Sequence, residues 1–340
     1  MSRRVSVAVV GATGAVGEVM LEILAQRDFP VGEIYALASS RSAGQHLRFK
    51  GKTITVADLS TFDFKGVDIS LFSAGAAVSD VHAPRAVAAG CVVVDNTSRF
   101  RYEADIPLVV PEVNALRIAQ FTNRRIIANP NCSTIQLVVA LNPIRQAAGL
   151  ERINVCTYQA VSGTGKAAID ELVTQTSCLL NGKPAQNRVY PKQIAFNVLP
   201  HIDEFQENGY TKEEMKMVWE TRKIMEDPEI RVNPTAVRVP VFYGHSEAVH
   251  LETRDKISVG EVREILARAP GVVLMDERKD GGYPTAVTEA ANRDGVYVGR
   301  IREDISHPRG INLWVVSDNV RKGAALNSIQ IAEILVKDCL

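Results

Sequence analysis

Val5-Ser6-Val7-Ala8-Val9-Val10-Gly11-Ala12-Thr13-Gly14-Ala15-Val16-Gly17 is the stretch that decides how the chain begins to fold. Five of its first six residues are apolar, four of them valine, and this β-branched density reads as a buried strand. From 16 to 25 the apolar residues recur at helical spacing. Between strand and helix stand three glycines. Glycine lets the backbone turn tightly and come close to a pyrophosphate, whose charge then sits at the N-terminus of the following helix. The turn therefore predicts a dinucleotide cradle lined by Gly11, Thr13, Gly14, Ala15 and Val16. Its G-x-x-G-x-x-G spacing departs from the commonest dinucleotide fingerprint, so the turn alone does not select a cofactor.

Further strands are predicted at 33–38, 67–72, 91–95 and 126–128, with helical segments between them. Alternation of this kind builds a Rossmann-like, doubly wound parallel sheet. Beyond 141 the pattern changes to longer strands, at 153–160, 236–242, 249–253, 296–301 and 312–316, separated by helices at 166–180, 212–225 and 259–267. That is an α+β pattern. A last amphipathic helix at 324–336 is placed to pack back on the first domain. The expected division is 1–133, completed by about 320–340, and a second domain over 134–319.

At 340 residues and 46% hydrophobic, the chain is long enough for two cores. Lysine plus arginine equal aspartate plus glutamate at 39 each, so no overall field favours nucleic acid or an anionic membrane. Apolar runs stop well short of the ~18 residues of a membrane span, and the run after Arg3-Arg4 ends in a glycine turn, unlike a signal peptide. A soluble cytoplasmic protein is expected. The five cysteines, Cys91, Cys132, Cys156, Cys178 and Cys339, include no C-x-x-C pair, which argues against a metal site and against a disulfide framework. Most of them read as buried, inert thiols.

Cys132 is the exception. In Asn129-Pro130-Asn131-Cys132-Ser133-Thr134, it follows the apolar run Ile126-Ile127-Ala128 and leads into the helical segment 135–141. A thiol at the positive end of a helix lies among N–H groups without intrahelical partners, which favours the thiolate and can hold an adjacent oxyanion. With a nicotinamide nearby, an acyl group held on sulfur can exchange hydride. Asn131 and the Cys132 N–H are candidates for the oxyanion hole, and Asn131 is equally suited to be a helix cap. At the end of the second strand, Ala38-Ser39-Ser40-Arg41-Ser42-Ala43-Gly44 lacks the acidic residue that holds the ribose 2′-hydroxyl of NAD. Ser39, Arg41 and Ser42 suit the 2′-phosphate of NADP. A solvated loop arginine is the alternative.

Gly11 to Gly17, Asn129 to Thr134, Gln159-Ala160-Val161-Ser162-Gly163-Thr164-Gly165, Arg238-Val239-Pro240-Val241 and Gly244-His245-Ser246-Glu247 resemble, in order and context, the motifs of aspartate-semialdehyde dehydrogenases. The resemblance runs over essentially the whole chain. It implies an NADP-dependent oxidoreductase that interconverts L-4-aspartyl phosphate with L-aspartate 4-semialdehyde and phosphate, in lysine, methionine and threonine biosynthesis, as a homodimer. In that family Cys132 would carry a thioester and His245 would exchange protons with the thiol and the hemithioacetal oxygen; histidine's usual pKa of about 6.5 suits the task. Gln159 would orient the acyl group and Arg238 would grip the α-carboxylate with its planar fork. Glu213 would meet the ammonium, and Lys216 with Arg101 the phosphate. Glu214 and Arg99 compete for those roles, and Glu213 with Lys216, three apart on a helix, also reads as an ordinary exposed ion pair. Ser73, Gly75, Ser162, Gly163 and Asn319 would line the cofactor site. Two other readings share the glycine turn: a related acyl phosphate reductase such as one for N-acetylglutamyl phosphate, which needs no partner for a free ammonium, and a noncatalytic NADP-binding paralogue.

Overall fold

The computed structural model describes residues 4–339, which divide into two compact units: 4–131 with 324–339, and 132–323. The first contains β1 (Val5–Val10), α1 (Ala15–Gln26), β2 (Val31–Ala38), β3 (His46–Phe49), β4 (Lys52–Asp58), β5 (Ile69–Phe72), α2 (Ala76–Ala88), β6 (Val92–Asp95), the single turn α3 (Pro111–Asn114) and β7 (Ile126–Ala128). The second contains α4 (Cys132–Ala148), β8 (Leu150–Gln159), α5 (Lys166–Leu180), α6 (Lys212–Met225), β9 (Arg231–Arg238), β10 (His245–Thr253), α7 (Val259–Arg268), β11 (Val272–Leu274), β12 (Val296–Glu303) and β13 (Gly310–Ser317). The chain then returns to the first unit as α8 (Leu326–Asp338).

In the first unit the strand order is β3-β4-β2-β1-β5-β6-β7, parallel throughout except for the β3–β4 hairpin at the edge. β1 lies centrally, and Val5, Val7 and Val9 share a core with Leu24 of α1 and with Ile329 and Leu335 of α8. The predicted Rossmann-like sheet and the returning C-terminal helix are both present. The hairpin was not foreseen. Its strands alternate the exposed His46, Arg48, Thr53 and Thr55 with Leu47, Phe49, Ile54 and Val56, which pack on the core, a short period-two pattern that the sequence reading passed over. Only the left-handed pair Lys50 and Gly51 (φ 47° and 78°) signals the turn between them.

In the second unit the order is β11-β12-β13-β10-β8-β9. β8 and β9 run parallel, and β10 is antiparallel to β8 and to β13. α4 is buried along almost its whole length, from Ser133 through Asn142. α5 and α6 occupy the predicted spans 166–180 and 212–225. The strand expected at 236–242 is instead β9, which ends at Arg238: Val241 donates back to Val239, and Pro240 has no N–H to offer a ladder. The short edge strand β11 was not foreseen either. Among the described residues, no helix is long and apolar enough to cross a membrane.

Candidate active site

Three strand ends meet at one edge of the second sheet. Gln159 closes β8, Arg238 closes β9 beside it in register, and His245 opens the antiparallel β10 on the other flank of β8. Gly244 sets the entry to β10. Its φ is 90°, and a Cβ there would stand 2.8 Å from the Ala286 carbonyl oxygen, so only glycine fits. Cys132 is the first residue of α4, and its Sγ lies 3.3 Å from His245 Nε2. The thiol predicted at a helix N-terminus therefore has its imidazole.

The state of that imidazole differs from the expectation. His245 is fully buried, and burial, then the Arg238 charge, push its pKa down to about 3; Glu213 and a backbone group of Gly244 oppose this less strongly. Its Nδ1 accepts a hydrogen bond from the Ala160 N–H at 3.0 Å. A peptide N–H cannot give up its proton, so the neutral ring carries its own proton on Nε2, facing sulfur. His245 is thus a hydrogen-bond donor toward Cys132, where its ordinary pKa had pointed to an acid/base.

Arg238 is buried and gives one guanidinium N–H to the Ala160 carbonyl (2.7 Å), while its Nε has no partner. A buried donor of this kind costs stability unless something fills it, which a bound carboxylate does. Gly163 stands directly against these groups: a Cβ there would come to 3.1 Å from Arg238 and 3.4 Å from the His245 ring. Gln159 donates to Thr157 Oγ1 and to Glu213. Glu213 also accepts from Lys216 at 3.1 Å, and Lys216 donates to Asp203 at 2.6 Å. Burial disfavours the Lys216 ammonium, but the two carboxylates outweigh it and raise its pKa. This chain of charges is mostly buried, so the exposed-pair reading of Glu213 and Lys216 fails. Asp203 has no sequence signal beyond an acidic loop. Glu214 is excluded as a competitor. It caps α6, accepting from the Thr211 and Ala236 N–H groups with its two oxygens.

Ser162 and Asn319 bond one another, and Asn319 also accepts from the Gly244 N–H, tying the Ser162–Gly163 loop to the start of the histidine strand. Gly323 was missed by sequence reasoning. A Cβ there would lie 2.9 Å from that of Cys132, so the nucleophile is seated against a residue that can only be glycine without displacing it.

The first unit holds the other candidates. Gly11 has φ 87°, with the Ser73 carbonyl 2.7 Å from where its Cβ would be, and a Cβ on Gly17 would stand 2.1 Å from the Gly11 oxygen. The turn is thus packed backbone to backbone. Gly14 caps α1 without a side-chain hydrogen bond, leaving the first N–H groups to an anion, and Thr13, Ala15 and Val16 are half-buried around it. Ser73 lies beside Gly11, and Gly75 (φ 96°) precedes α2. Ser39, Arg41 and Ser42 form a turn in which Ser42 donates to the Ser39 carbonyl; Arg41 is exposed and forms no ion pair among the described residues. These groups fit a dinucleotide with or without a 2′-phosphate. Arg101 is buried and bonded to the Thr97 and Asn96 carbonyls, whereas Arg99 is half-buried and paired with Asp80 and Glu103. Asn131, also buried, immediately precedes Cys132. Asn129 is fixed by Asn327 of α8 and by Asn96.

Of the remaining thiols, only Cys91 is fully buried; burial pushes its pKa up to about 12. Cys156, Cys178 and Cys339 are half-buried, against the expectation that most would be inaccessible.

Two family models match in chain order: Semialdehyde dehydrogenase, NAD binding domain, over residues 6–121, and Semialdehyde dehydrogenase, dimerisation domain, over 141–322. The aspartate-semialdehyde dehydrogenase of Legionella pneumophila is 63% identical over 340 residues, covering 100% of this chain and 98% of that protein. Among solved structures, aspartate semialdehyde dehydrogenase II from Vibrio cholerae complexed with ASA superposes with a TM-score of 0.98 at 60% identity, over 100% of both chains. The enzyme with NADP from Candida albicans matches at a TM-score of 0.75 and 28% identity, over 98% of each chain. Matches spanning all of this chain, at this identity and with both domain models in order, make it a member of the aspartate-semialdehyde dehydrogenase family.

Proposed function

We propose that this protein is a cytoplasmic, homodimeric, NADP-dependent enzyme. It reductively dephosphorylates L-4-aspartyl phosphate to L-aspartate 4-semialdehyde, reversibly, through a thioester on Cys132. The first unit serves as the NADP-binding domain, and the second carries substrate and the dimer contact. The observation that carries the reading is the Cys132–His245 contact of 3.3 Å at the start of a buried helix, in a chain that shares its motifs with this family. A noncatalytic paralogue has no use for that contact.

The His245 Nε2–H hydrogen-bonds the Cys132 thiolate and so favours it over the thiol. Attack on the acyl carbon forms the C–S bond and breaks the C–O bond to phosphate, which leaves with its electron pair and takes its proton from water. NADPH, when bound, supplies the hydride that reduces the thioester. The sulfur-bound carbon then carries an oxyanion, and the Nε2–H, with Asn131 and the Cys132 N–H as further donors, stabilises it. Collapse of the oxyanion breaks the C–S bond, releases aldehyde and restores the thiolate to the same Nε2–H. No proton needs to move through the histidine, which accords with a ring held neutral.

Arg238, with an unfilled Nε, takes the α-carboxylate; Glu213 takes the ammonium; Lys216 and Arg101 take phosphate, and Gln159 orients the acyl group. A glutamate already held in place is what a substrate with a free ammonium requires, and an N-acylated substrate does not. Ser162, Gly163 and Asn319 line the nicotinamide side. Steady-state kinetics in the oxidative direction tests the assignment. Lys216→Ala is expected to raise KM for phosphate about tenfold, the loss of one charge-assisted contact, with KM for the semialdehyde little changed. Arg238→Lys should do the reverse, because lysine keeps the charge but loses the fork. Unaltered phosphate dependence in Lys216→Ala would refute the phosphate role.

A further inference from the structure

Glu247 lies two residues beyond His245 on β10, on the same face of the strand, and is fully buried. Across the sheet it is flanked by Thr157 of β8 and Val315 of β13, neither of which offers a charge. Both of its carboxyl oxygens lack a hydrogen-bond partner. Gln136 of α4, also buried and with both amide atoms unpartnered, is the side chain close enough to bias its ionisation. Burial holds the acid well above the usual carboxylate range, which favours its neutral form. A neutral carboxyl and a primary amide are complementary. The acid O–H can donate to the amide oxygen, and the amide N–H can donate to the acid's carbonyl oxygen.

The spacing of these residues is the informative part. Gln136 stands one helical turn after Cys132, an axial rise of about 6 Å, and Glu247 stands two strand residues after His245, about 6.7 Å. Helix and strand therefore step together. Cys132–His245 is one rung between α4 and β10, and Gln136–Glu247 is the next. We infer that Glu247, paired acid to amide with Gln136, is a positioning residue that holds the His245 strand in register with the Cys132 helix. The inference rests on reading Cys132 and His245 as the reacting pair. Two buried polar groups with no other partner are costly in a helix–sheet interface, and an apolar pair fills the same space. An apolar pair, however, slides. Directional bonds do not.

The test is alkylation of Cys132 by iodoacetamide, followed by peptide mass spectrometry on the full chain, beside steady-state kinetics. Glu247→Ala and Gln136→Ala are each expected to slow Cys132 alkylation and lower kcat about tenfold or more, as a misplaced reacting pair does, with both KM values within about twofold. Glu247→Gln, which keeps an amide able to donate and accept, should recover most of both rates. In the infrared, the C=O band of a protonated carboxyl should be present in wild type and lost in Glu247→Gln. Wild-type alkylation and kcat in Gln136→Ala would overturn the inference, even if Glu247→Ala fails to fold. So would Glu247→Gln as impaired as Glu247→Ala, or no band from a neutral acid. These outcomes leave the reaction centre standing, whereas turnover that survives complete alkylation of Cys132 would remove the centre and the inference together.

Discussion

In the first unit the candidate cofactor turn is made of backbone: Gly11 and Gly17 pack against carbonyls, Gly14 leaves the start of α1 uncapped, and Arg41 stands exposed beside two serines. In the second unit the candidate reaction centre is made of buried side chains. His245, Arg238, Gln159 and Glu213 sit at or near zero exposure and constrain one another through Ala160, Lys216 and Asp203. The difference follows from the task. A pyrophosphate is charged in every state, and N–H groups at a helix start hold it without selecting among side chains. A thiolate and an oxyanion appear only transiently, so their donors must be fixed beforehand in a place where water does not compete.

The sharpest way to separate the two regions is to remove the nucleophile. Cys132→Ala should lower turnover by on the order of 10⁴-fold or more, with the NADP dissociation constant, read by nicotinamide fluorescence, within about twofold of wild type. The wild-type enzyme mixed with aspartyl phosphate in the absence of NADPH should show the acyl mass on the Cys132 peptide. Activity surviving in Cys132→Ala, with label on Cys156 or Cys178, would move the chemistry elsewhere. Both of those thiols are accessible enough for the control to be meaningful.

The converse change is Gly17→Ala. The added Cβ would stand 2.1 Å from the Gly11 carbonyl oxygen, so the turn must open. Overpacking of this kind costs about 1–3 kcal/mol, and cofactor binding should fall with it, whereas Cys132 should alkylate at its usual rate. A melting curve and a fluorescence titration read the first two. If NADP binds Gly17→Ala normally, the turn is not shaped by that contact and the contrast drawn above is wrong for this half of the molecule.

The same contrast explains what could be read in the sequence. The glycine turn was legible because its parts are contiguous: strand, glycines and helix follow within thirteen residues. The order of parallel strands followed from apolar runs between helices, and β1 and β7 lie where those runs stand. Hairpin β3–β4 was missed although Leu47, Phe49, Ile54 and Val56 alternate with polar residues around Lys50 and Gly51, and the strand expected at 236–242 was displaced because Ala236 to Phe242 looks like a strand until Pro240 is given its missing N–H. In the second unit the residues come from five separate segments, and apart from that of Cys132 their roles were reached only through a resemblance. What no local pattern could supply was state. Burial moves His245 to about 3, the Ala160 N–H selects its tautomer, and a helix-cap contact with a bond from the Ala236 N–H of β9 ties down Glu214. Asp203 and Gly323 act on the site only through space, at 2.6 Å from Lys216 and 2.9 Å from Cys132.

Arg41→Ala sharpens the backbone side of the comparison. If the turn binds pyrophosphate by N–H groups alone and Arg41 adds only the 2′-phosphate, loss of the guanidinium should weaken NADP by about 1.5–3 kcal/mol, tenfold or more, and leave NAD almost unchanged. Titration with both cofactors decides it. Equal weakening would make Arg41 part of the fold of its loop.

The smallest effect probes the side-chain cluster through pH. His245 has a folded pKa of about 3, against about 6.5 for an exposed histidine, so between these values the unfolded chain binds the proton and the folded one does not. Stability therefore rises with pH across that window and is lost as pH falls below about 6.5. From pH 7 to pH 5 the loss through this one residue amounts to about 2 kcal/mol, taking the folded form as neutral throughout. His245→Asn, which cannot take up a proton, should lack that share of the acid lability, so its urea midpoint should fall less steeply than that of wild type between pH 7 and 5. Other titrating groups act equally on both proteins and cancel in the difference. Parallel slopes would mean that His245 is protonated in the folded enzyme near pH 6. In that case the Nε2–H would belong to an imidazolium able to give its proton away, and the side-chain cluster would work as an acid/base in place of the fixed donor inferred from Ala160.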